Sequence, residues 1–318
     1  MVALNTNMNK PLRPYYDFAD FLKRLFPYKV QKISINAGFS CPNRDGTKGF
    51  GGCTYCNNQT FSPEYCFSGK SVRQQVNEGI EFFSAKYPQM KFLAYFQAYT
   101  NTYDETDRLL QRYNEALQHP DVVGLIIGTR PDCMPDELLS ELYNISKKYF
   151  LLIEYGMEST NNATLKFINR GHTYEECVET IYRTNAVGCL CGIHLMLGLP
   201  GENREQILNH AQIIAELPLT TVKLHQLQLI RNTRMEQQFA ENPEWFHFYS
   251  IDEYIDLCID FIERLPPHFV LERFVSQSPK ALVIAPGWHS KNNEFMYKLN
   301  KRIAERGTYQ GRILSQDN

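Results

Sequence analysis

The sequence has no long hydrophobic run and no leader-like start. No apolar stretch in its 318 residues approaches the roughly 18 residues that a membrane span needs. The first ten residues, MVALNTNMNK, also lack the apolar core of a secretory signal peptide. These absences predict a cytoplasmic protein, in which the nine cysteines serve as reduced thiols or metal ligands rather than in disulfides.

The chain also lacks a strong net charge. Its 33 lysines and arginines nearly balance 35 aspartates and glutamates, so no global positive field indicates nucleic-acid binding. Residues 291–312 are an exception, because basic side chains there outnumber acidic ones by six to two. The six are Lys291, Lys298, Lys301, Arg302, Arg306 and Arg312. This segment is either a solvated helix face or a patch that contacts RNA phosphates.

Three cysteines stand close together in a glycine-rich segment. Cys41 is followed by eleven residues, four of them glycine, and then by Cys53 and Cys56 in a C-x-x-C. Three thiolates in one loop can bind three irons of a [4Fe–4S] cluster and leave the fourth iron open. Spacing alone also permits a zinc site, with His194 or His225 as a distant fourth ligand, or a redox dithiol.

The whole segment ISINAGFSCPNRDGTKGFGGCTYCNNQTF resembles the cluster loop of radical S-adenosylmethionine (SAM) enzymes. Thr54, Tyr55 and Cys56 fit the shared ending, in which an aromatic residue precedes the last cysteine. The usual spacing has three residues between the first two cysteines. Eleven is typical of a subgroup related to the radical domain of the elongator catalytic subunit, and the chain resembles the bacterial YhcC/YtqA family. The resemblance continues through YFQAYTNTY, GTRPDC, NRGHTYE, HLMLGLPGE and HQLQLIRNT, and weakly through APGWHSK.

The resemblance implies a fold, two cofactors and a reaction type. The fold would be a partial (β/α)6 barrel, open on one side. SAM would bind the open iron, and an electron from a donor such as flavodoxin or ferredoxin would release a 5′-deoxyadenosyl radical. That radical would take a hydrogen atom from the substrate, while the protein orients the reactants and excludes water.

The order of elements agrees with such a barrel. Strand-like apolar segments alternate with helix-like segments, which favours a parallel sheet covered by helices. We expect an N-terminal extension at 1–29, the barrel at 30–231 and a helical C-terminal extension at 232–318. In such barrels the active site lies at the carboxyl ends of the strands. Pro135 is expected as the first residue of one helix.

Two segments are candidates for binding the methionine part of SAM. Many relatives hold its amino group with a Gly-Gly-Glu motif, which residues 96–102 of this chain lack. Gln97, Thr100 and Asn101 offer neutral oxygens that could accept hydrogen bonds from an ammonium group, or they form a loop without that role. Arg170 matches the arginine that binds the SAM carboxylate in similar relatives, and could instead cap a helix.

Other strand ends carry further candidates. Tyr55 could lie against the adenine, and the turn at Gly198 would bring backbone near it. His194 could line the site, although a core histidine with satisfied hydrogen bonds is the more common outcome. His225 and Gln226 are adjacent on the sixth strand, so only one of them faces the barrel interior.

Acidic and basic residues at the third and fourth strand ends have open assignments. Glu154 could accept hydrogen bonds from ribose hydroxyls, or it could pair with Arg130 or Arg170. Glu158 flanks the same strand end. Asp132 and Arg130 could face the substrate or pair with each other. The remaining cysteines show no second cluster spacing and are interpreted as core thiols: Cys66, Cys133, Cys177, Cys189, Cys191 and Cys258.

Three functions remain open from the sequence. The first is a radical SAM enzyme that modifies tRNA, at the side chain of a wobble uridine, as the relatives and the basic segment suggest. The second is radical SAM oxidation or reduction of a small metabolite. The third is a non-enzymatic iron–sulfur or zinc protein that binds a partner. Only the enzymes would form 5′-deoxyadenosine from SAM and a strong reductant.

Overall fold

The computed structural model describes residues 13–57, 60, 63, 65–84, 89–288 and 290–314. Within these residues, strands and helices alternate as the sequence predicts. The strands are β1 (Val30–Ile35), β2 (Lys91–Phe96), β3 (Val122–Thr129), β4 (Phe150–Glu158), β5 (Leu190–Leu197), β6 (Thr221–Gln226), β7 (Leu229–Ile230), β8 (Val270–Arg273) and β9 (Val283–Ala285). The α-helices are α1 (Phe18–Leu25), α2 (Val72–Ser84), α3 (Thr106–Leu117), α4 (Asp136–Ser146), α5 (Asn162–Phe167), α6 (Tyr174–Ala186), α7 (Arg204–Ala215), α8 (Arg234–Glu241), α9 (Ile251–Ile262) and α10 (Asn292–Arg306).

A parallel sheet forms the centre of the described part. Its strand order is β1-β2-β3-β4-β5-β6-β8, and every neighbouring pair is parallel. This arrangement confirms the predicted partial barrel of six strand–helix units. The seventh strand, β8, differs from the prediction, because it lies in the segment expected to be helical. Its four residues are too short to show a strand period in the sequence.

Alternate residues of β2 show that the sheet is buried on both faces. Phe92 and Phe96 pack in the larger core with residues of the surrounding helices. Leu93 and Tyr95 point the other way and pack with Phe18 of α1. Burial of both faces explains why these strands read as nearly continuous apolar runs. Helix α1 therefore fills the interior of the barrel near the amino ends of the strands.

Local signals fix α1 in that position. The Asp17 side chain caps its amino end, and Asp17 also forms a parallel bridge with Leu271 of β8. Phe18, Phe21 and Leu22, spaced three and four residues apart, are all buried. Burying each such side chain contributes about 1.5–3 kcal/mol. A helix of eight residues is not stable by itself, so packing of this apolar face stabilises α1.

The two outer strands of the sheet meet through an ion pair. Lys32 on β1 and Glu272 on β8 are on the first and last strands, yet Lys32 Nζ lies 2.6 Å from Glu272 Oε1. Lys32 Nζ also lies 4.1 Å from the ring centre of Phe18 in α1. The open side of the barrel is therefore closed at this level by side chains.

The C-terminal helices limit the predicted basic patch. Arg302 of α10 contacts both carboxylate oxygens of Asp256 in α9 at 2.7 Å. Arg306 pairs with Asp260 and Glu263. Lys301 Nζ lies 3.7 Å from its helix neighbour Glu305. Much of the positive charge counted in the sequence is thus balanced by acidic side chains of α9 and by Glu263 and Glu305.

Two smaller observations complete the fold. Pro135 precedes α4 as its cap, with an extended ψ of 149°, and is not its first helical residue as predicted. No helix in the described ranges is both long enough and apolar enough to cross a membrane.

Candidate active site

The loop after β1 brings the three predicted cysteines to one cavity of about 160 Å³ at the carboxyl ends of the strands. Tight turns shape it: the Arg44 amide donates to the Cys41 carbonyl at 2.8 Å, and the Cys56 amide donates to the Cys53 carbonyl at 3.0 Å. Gly52 has a φ of +78°, and a Cβ there would lie 2.9 Å from the Arg44 side chain. Only glycine fits this position without strain.

Hydrogen-bond donors surround the Cys53 sulfur. Arg170 Nη1 lies 3.4 Å from it, and Asn43 Nδ2 lies 3.7 Å from it. Such donors stabilise thiolates and tune an iron–sulfur cluster that the thiolates hold. Three soft sulfur ligands in one loop, with donors aimed at sulfur, fit a [4Fe–4S] cluster that has one iron without a protein ligand.

The two histidines considered as zinc ligands have other partners. His194 Nε2 lies 2.8 Å from Glu154 Oε2, and His225 Nδ1 lies 2.6 Å from Ser276 Oγ. Across the described residues, no three His, Cys, Asp or Glu side chains are grouped as ligands of one metal ion. The histidine rings therefore belong to the barrel wall in this structure.

Arg170 lies beside the cysteines, as predicted. Its Nη2 and Nε donate to the Gly156 carbonyl at 2.7 and 3.2 Å, and its Nη2 is 3.8 Å from Glu158 Oε1. With Nη1 on Cys53, each guanidinium nitrogen has a protein partner. Because Nη1 and Nη2 each carry two N–H groups, these contacts do not use all five donors of the guanidinium. Binding of the SAM carboxylate by Arg170 stays a prediction.

Arg130 and Asp132 pair with each other, which selects one of the two predicted alternatives. Both contacts measure 2.9 Å, and Lys48 of the cysteine loop reaches Asp132 at 2.6 Å. Arg130 Nη1 also donates to the Arg170 carbonyl at 2.7 Å. Burial opposes ionisation of Asp132, but the hydrogen bonds and charges of Arg130 and Lys48 together outweigh it and lower the Asp132 pKa to about 2. This pair anchors the cysteine loop to β3.

The predicted SAM-binding residues divide into two groups. Six line the same cavity: Tyr55, Gln97, Thr100, Glu154, Arg170 and His194. The other two do not. Asn101 is fully buried behind the wall, where its Nδ2 donates to the Gly128 carbonyl at 2.8 Å. Gly198 lies under Tyr249, whose ring carbon would be 3.4 Å from an added Cβ.

A buried ion network forms the floor of the cavity. Lys223 Nζ lies 2.6 Å from Glu154 Oε2, 2.5 Å from Glu272 Oε1 and 3.0 Å from the Tyr95 hydroxyl. Glu154 thus pairs with Lys223, and not with Arg130 or Arg170 as one alternative had it. Burial opposes its charge, but Lys223 and then Lys32 hold the Glu154 pKa below its usual range. Burial lowers the pKa of Lys32.

The wall above this floor contains two neutral histidines. The rings of His194 and His225 are 5.3 Å apart between centres. Burial lowers the pKa of both rings well below the usual value. The positive charge of Lys223 lowers the His194 pKa further, and that of Arg273 lowers the His225 pKa further. Gln226 points away from the cavity and exchanges two hydrogen bonds with the Ser276 backbone.

Several residues of this site were not predicted. Lys32 and Lys223 each interrupt an apolar strand at an inward position, and that signal is readable in the sequence. Glu272 and Arg273 belong to β8 and could not be found without that strand. The six other cysteines are all buried, in agreement with core thiols.

Family models cover most of the chain. Residues 40–214 match the Radical SAM superfamily, and residues 219–305 match the Radical_SAM C-terminal domain. The chain belongs to the radical SAM superfamily. As a radical SAM enzyme it uses a [4Fe–4S] cluster and SAM, and the three-thiol site described above fits that cluster. The predicted domain limits at residues 30 and 231 stay predictions.

Relatives of similar length define the family further. YtqA of Bacillus subtilis is 32% identical over 305 residues, which cover 95% of this chain and 93% of that protein. YhcC of Escherichia coli K12 is 31% identical over 300 residues, which cover 94% and 95%. These matches confirm the predicted YhcC/YtqA family.

Solved structures support the fold. Elp3 of Methanocaldococcus infernus superposes with a TM-score of 0.67 at 18% identity, covering 89% of this chain and 64% of that one. Methylornithine synthase (PylB) gives a TM-score of 0.55 at 10% identity, covering 91% and 85%. At these identities the likeness concerns the barrel and its strand order.

Proposed function

We propose that this radical SAM enzyme modifies the side chain of a tRNA uridine, the wobble uridine. The observation that carries the proposal is similarity to a tRNA uridine(34) acetyltransferase of Methanocaldococcus jannaschii. That protein is 26% identical over 192 residues, which cover 59% of this chain and 34% of that protein. The matched 192 residues are about as long as the predicted barrel and make up only 34% of the acetyltransferase. We therefore infer a common class of substrate, tRNA uridine, and not acetyl transfer.

The chain's own residues would bind and orient the reactants. When bound, the cluster and SAM supply a 5′-deoxyadenosyl radical that removes hydrogen from the substrate. Cys41, Cys53 and Cys56 hold the cluster, and Gln97 and Thr100 receive the SAM amino group. The closed floor below them keeps water from reaching the cavity through the barrel, which protects a radical from side reactions.

We infer that RNA docks on exposed lysines beside the carboxyl ends of the strands. Lys280 and Lys291 line a second cavity of about 410 Å³ beside the barrel mouth, and Lys298 follows on the exposed side of α10. None of the three makes an ion pair with another described residue, whereas Arg302 is held by Asp256. Tyr297 is 70% exposed beside Lys298 and offers a stacking surface for a base.

Trp288 has a different role from base stacking. Its Nε1 donates to the Tyr249 carbonyl at 3.0 Å, and its ring stacks on Phe295 at an interplanar angle of 14°. It is therefore a packing residue of the C-terminal region. We place RNA contacts on the free lysines instead.

The test compares tRNA binding of the cluster-loaded protein at several salt concentrations. Each lost phosphate contact lowers the salt slope by about 0.9, so the double variant Lys291→Gln and Lys298→Gln should reduce it by roughly 2. Lys147→Gln, which neutralises an exposed lysine at the end of α4, is the matched control and should leave the slope unchanged. Formation of 5′-deoxyadenosine without substrate should be equal in all three proteins.

A deletion strain provides the second arm. Mass spectrometry of its tRNA nucleosides should show a missing or incomplete uridine modification that the wild-type gene restores. Unchanged nucleosides, together with salt-insensitive tRNA binding, would reject the RNA substrate.

We also propose that the enzyme works in the cytoplasm and takes its electron from a flavodoxin or ferredoxin.

A small metabolite is the second candidate substrate. HemZ of Bacillus subtilis, an oxygen-independent coproporphyrinogen-III oxidase-like protein, is 26% identical over 230 residues, which cover 65% of this chain and 42% of that protein. The cavity at the carboxyl ends of the strands has a volume of only about 160 Å³, which favours a small substrate. The two substrates can be separated by incubating the enzyme, SAM and reductant with cell extract that has been treated with ribonuclease. A metabolite substrate would still be converted in this extract, whereas a tRNA substrate would not.

A further inference from the structure

Arg273 is a cation of the cavity wall that has no acidic partner. The floor below it is balanced, with Lys32 and Lys223 against Glu154 and Glu272. Within the described residues, no carboxylate lies within ion-pair distance of the Arg273 guanidinium, and its buried Nε has no hydrogen-bond partner. Arg273 therefore adds one uncompensated positive charge to the interior.

A bulge in β8 turns this side chain inward. Val222 pairs with Leu271 and Lys223 pairs with Arg273, so Glu272 is the extra residue on β8. Without the bulge, Glu272 and Arg273 would point to opposite faces of the sheet. With it, Glu272 reaches Lys223 in the floor while Arg273 lines the cavity. Bulges that redirect a side chain in this way are common beside active sites.

Neutral groups hold Arg273 in place. Its Nη2 lies 3.1 Å from each ring nitrogen of His225, which in turn contacts Ser276 Oγ at 2.6 Å. Its Nη1 makes no hydrogen bond with another described residue. The arrangement orients a guanidinium without neutralising it, which leaves its charge available to a ligand.

The other unpaired arginine of the cavity has a different neighbour. Arg44 belongs to the cysteine loop and donates to the Cys56 carbonyl at 3.1 Å, so it faces the negative charge of the thiolates. Arg273 lies on β8, and its hydrogen-bond neighbour is His225 of β6 rather than a residue of that loop. The two charges are thus assigned to different groups.

We propose that Arg273, supported by His225, binds an anionic group of the substrate, a carboxylate or a phosphate, inside the barrel. The inference rests on the proposed function only in placing the substrate in this cavity. It narrows the substrate to one whose reacting part carries, or lies next to, a negative charge. A guanidinium fork binds both kinds of anion, and the probes below separate them.

The test measures binding of malonate and of inorganic phosphate to the anaerobic, cluster-loaded protein by calorimetry. SAM is present at saturation and no reductant is added, so the site of the SAM carboxylate is already filled. We expect one probe to bind the wild type. Arg273→Gln should weaken it by about tenfold or more, and Arg273→Lys by less, because the charge remains. Arg108→Gln, on the exposed face of α3, should bind the probe like the wild type.

Three results would overturn the proposal. The wild type could bind neither probe, the Gln variant could bind as well as the wild type, or Arg273→Gln could weaken SAM itself about tenfold. The last result would assign Arg273 to SAM. If Arg273→Gln loses its iron or its fold, the Arg273→Lys variant is measured instead. Equal probe affinity of this variant and the wild type would reject the bidentate contact between the Arg273 guanidinium and the anion. If probe binding depends on Arg273 but the deletion strain has unchanged tRNA nucleosides, the tRNA substrate is rejected. The proposal for Arg273 then stands with an anionic metabolite as the substrate.

Discussion

Lys223→Met should destabilise the barrel by about 3–5 kcal/mol, because two buried carboxylates, Glu154 and Glu272, then face a single lysine, Lys32. Methionine keeps most of the lysine's length and apolar volume, so the loss is one of charge. Lys223 touches Glu154 and Glu272 at 2.6 and 2.5 Å, and all three side chains are at most 8% exposed. At roughly 2 °C per kcal/mol for a chain of this size, the melting temperature should fall by about 6–10 °C.

The effect has a predicted pH dependence. In the wild type, the Glu154 pKa lies below its unfolded value, so the paired carboxylate stabilises the fold above pH of about 4.3 and this is lost as pH falls. Without Lys223, only Lys32 opposes the effect of burial among the nearby lysines, so the pKa of Glu154 should be higher than in the wild type. Protonation then relieves the unpaired charge, and the difference between variant and wild type should shrink from pH 7 towards pH 5.

Thermal unfolding of the anaerobic, cluster-loaded protein is the assay. Lys91→Met is the matched control, because Lys91 Nζ also lies 2.5 Å from a carboxylate oxygen, that of Asp121. In this pair, however, both side chains are about one-third exposed. That variant should lose less than about 1 kcal/mol. Equal losses in the two variants, or a Lys223→Met loss that is the same at pH 7 and pH 5, would refute the reasoning.

Two further predictions concern the cluster and the sheet. Cys53→Ala should lose most bound iron and all SAM cleavage, whereas Cys258→Ala, in the α9 core, should keep its iron; iron analysis that shows equal loss would remove Cys53 from the ligand set. Gly124→Ala should cost about 1–3 kcal/mol, because its Cβ would lie 2.3 Å from the Phe150 carbonyl oxygen, while Gly287→Ala meets nothing within 4 Å. Equal melting temperatures for these two variants would contradict the packing of β3 against β4.

Local patterns predicted most strands and helices, because the strands of this sheet are buried on both faces and read as apolar runs. The same patterns did not reveal β8. Its pairing with β6 depends on contacts between residues about 50 positions apart, such as Val222 with Leu271. The Lys32–Glu272 pair is still more distant along the chain and has no local signature.

Side-chain direction at strand ends was harder to predict than position. Thr100 and Asn101 are adjacent, yet one lines the cavity and the other is buried behind it. The basic helix shows the same limit: periodicity places Arg302 on a face of α10, but only the fold shows that Asp256 lies opposite. Motifs therefore located the site, and tertiary packing decided which side chains enter it.

The contact between Lys32 and Glu272 also sets an order of events during synthesis. About 240 residues separate the two side chains, and at 5–20 residues per second the ribosome needs roughly 12–48 s to make them. The cysteine loop is made long before this pair can form. A nascent chain thus exposes its cluster ligands while the barrel floor is still open to water. Stable cluster insertion should consequently follow the docking of β8 beside β6.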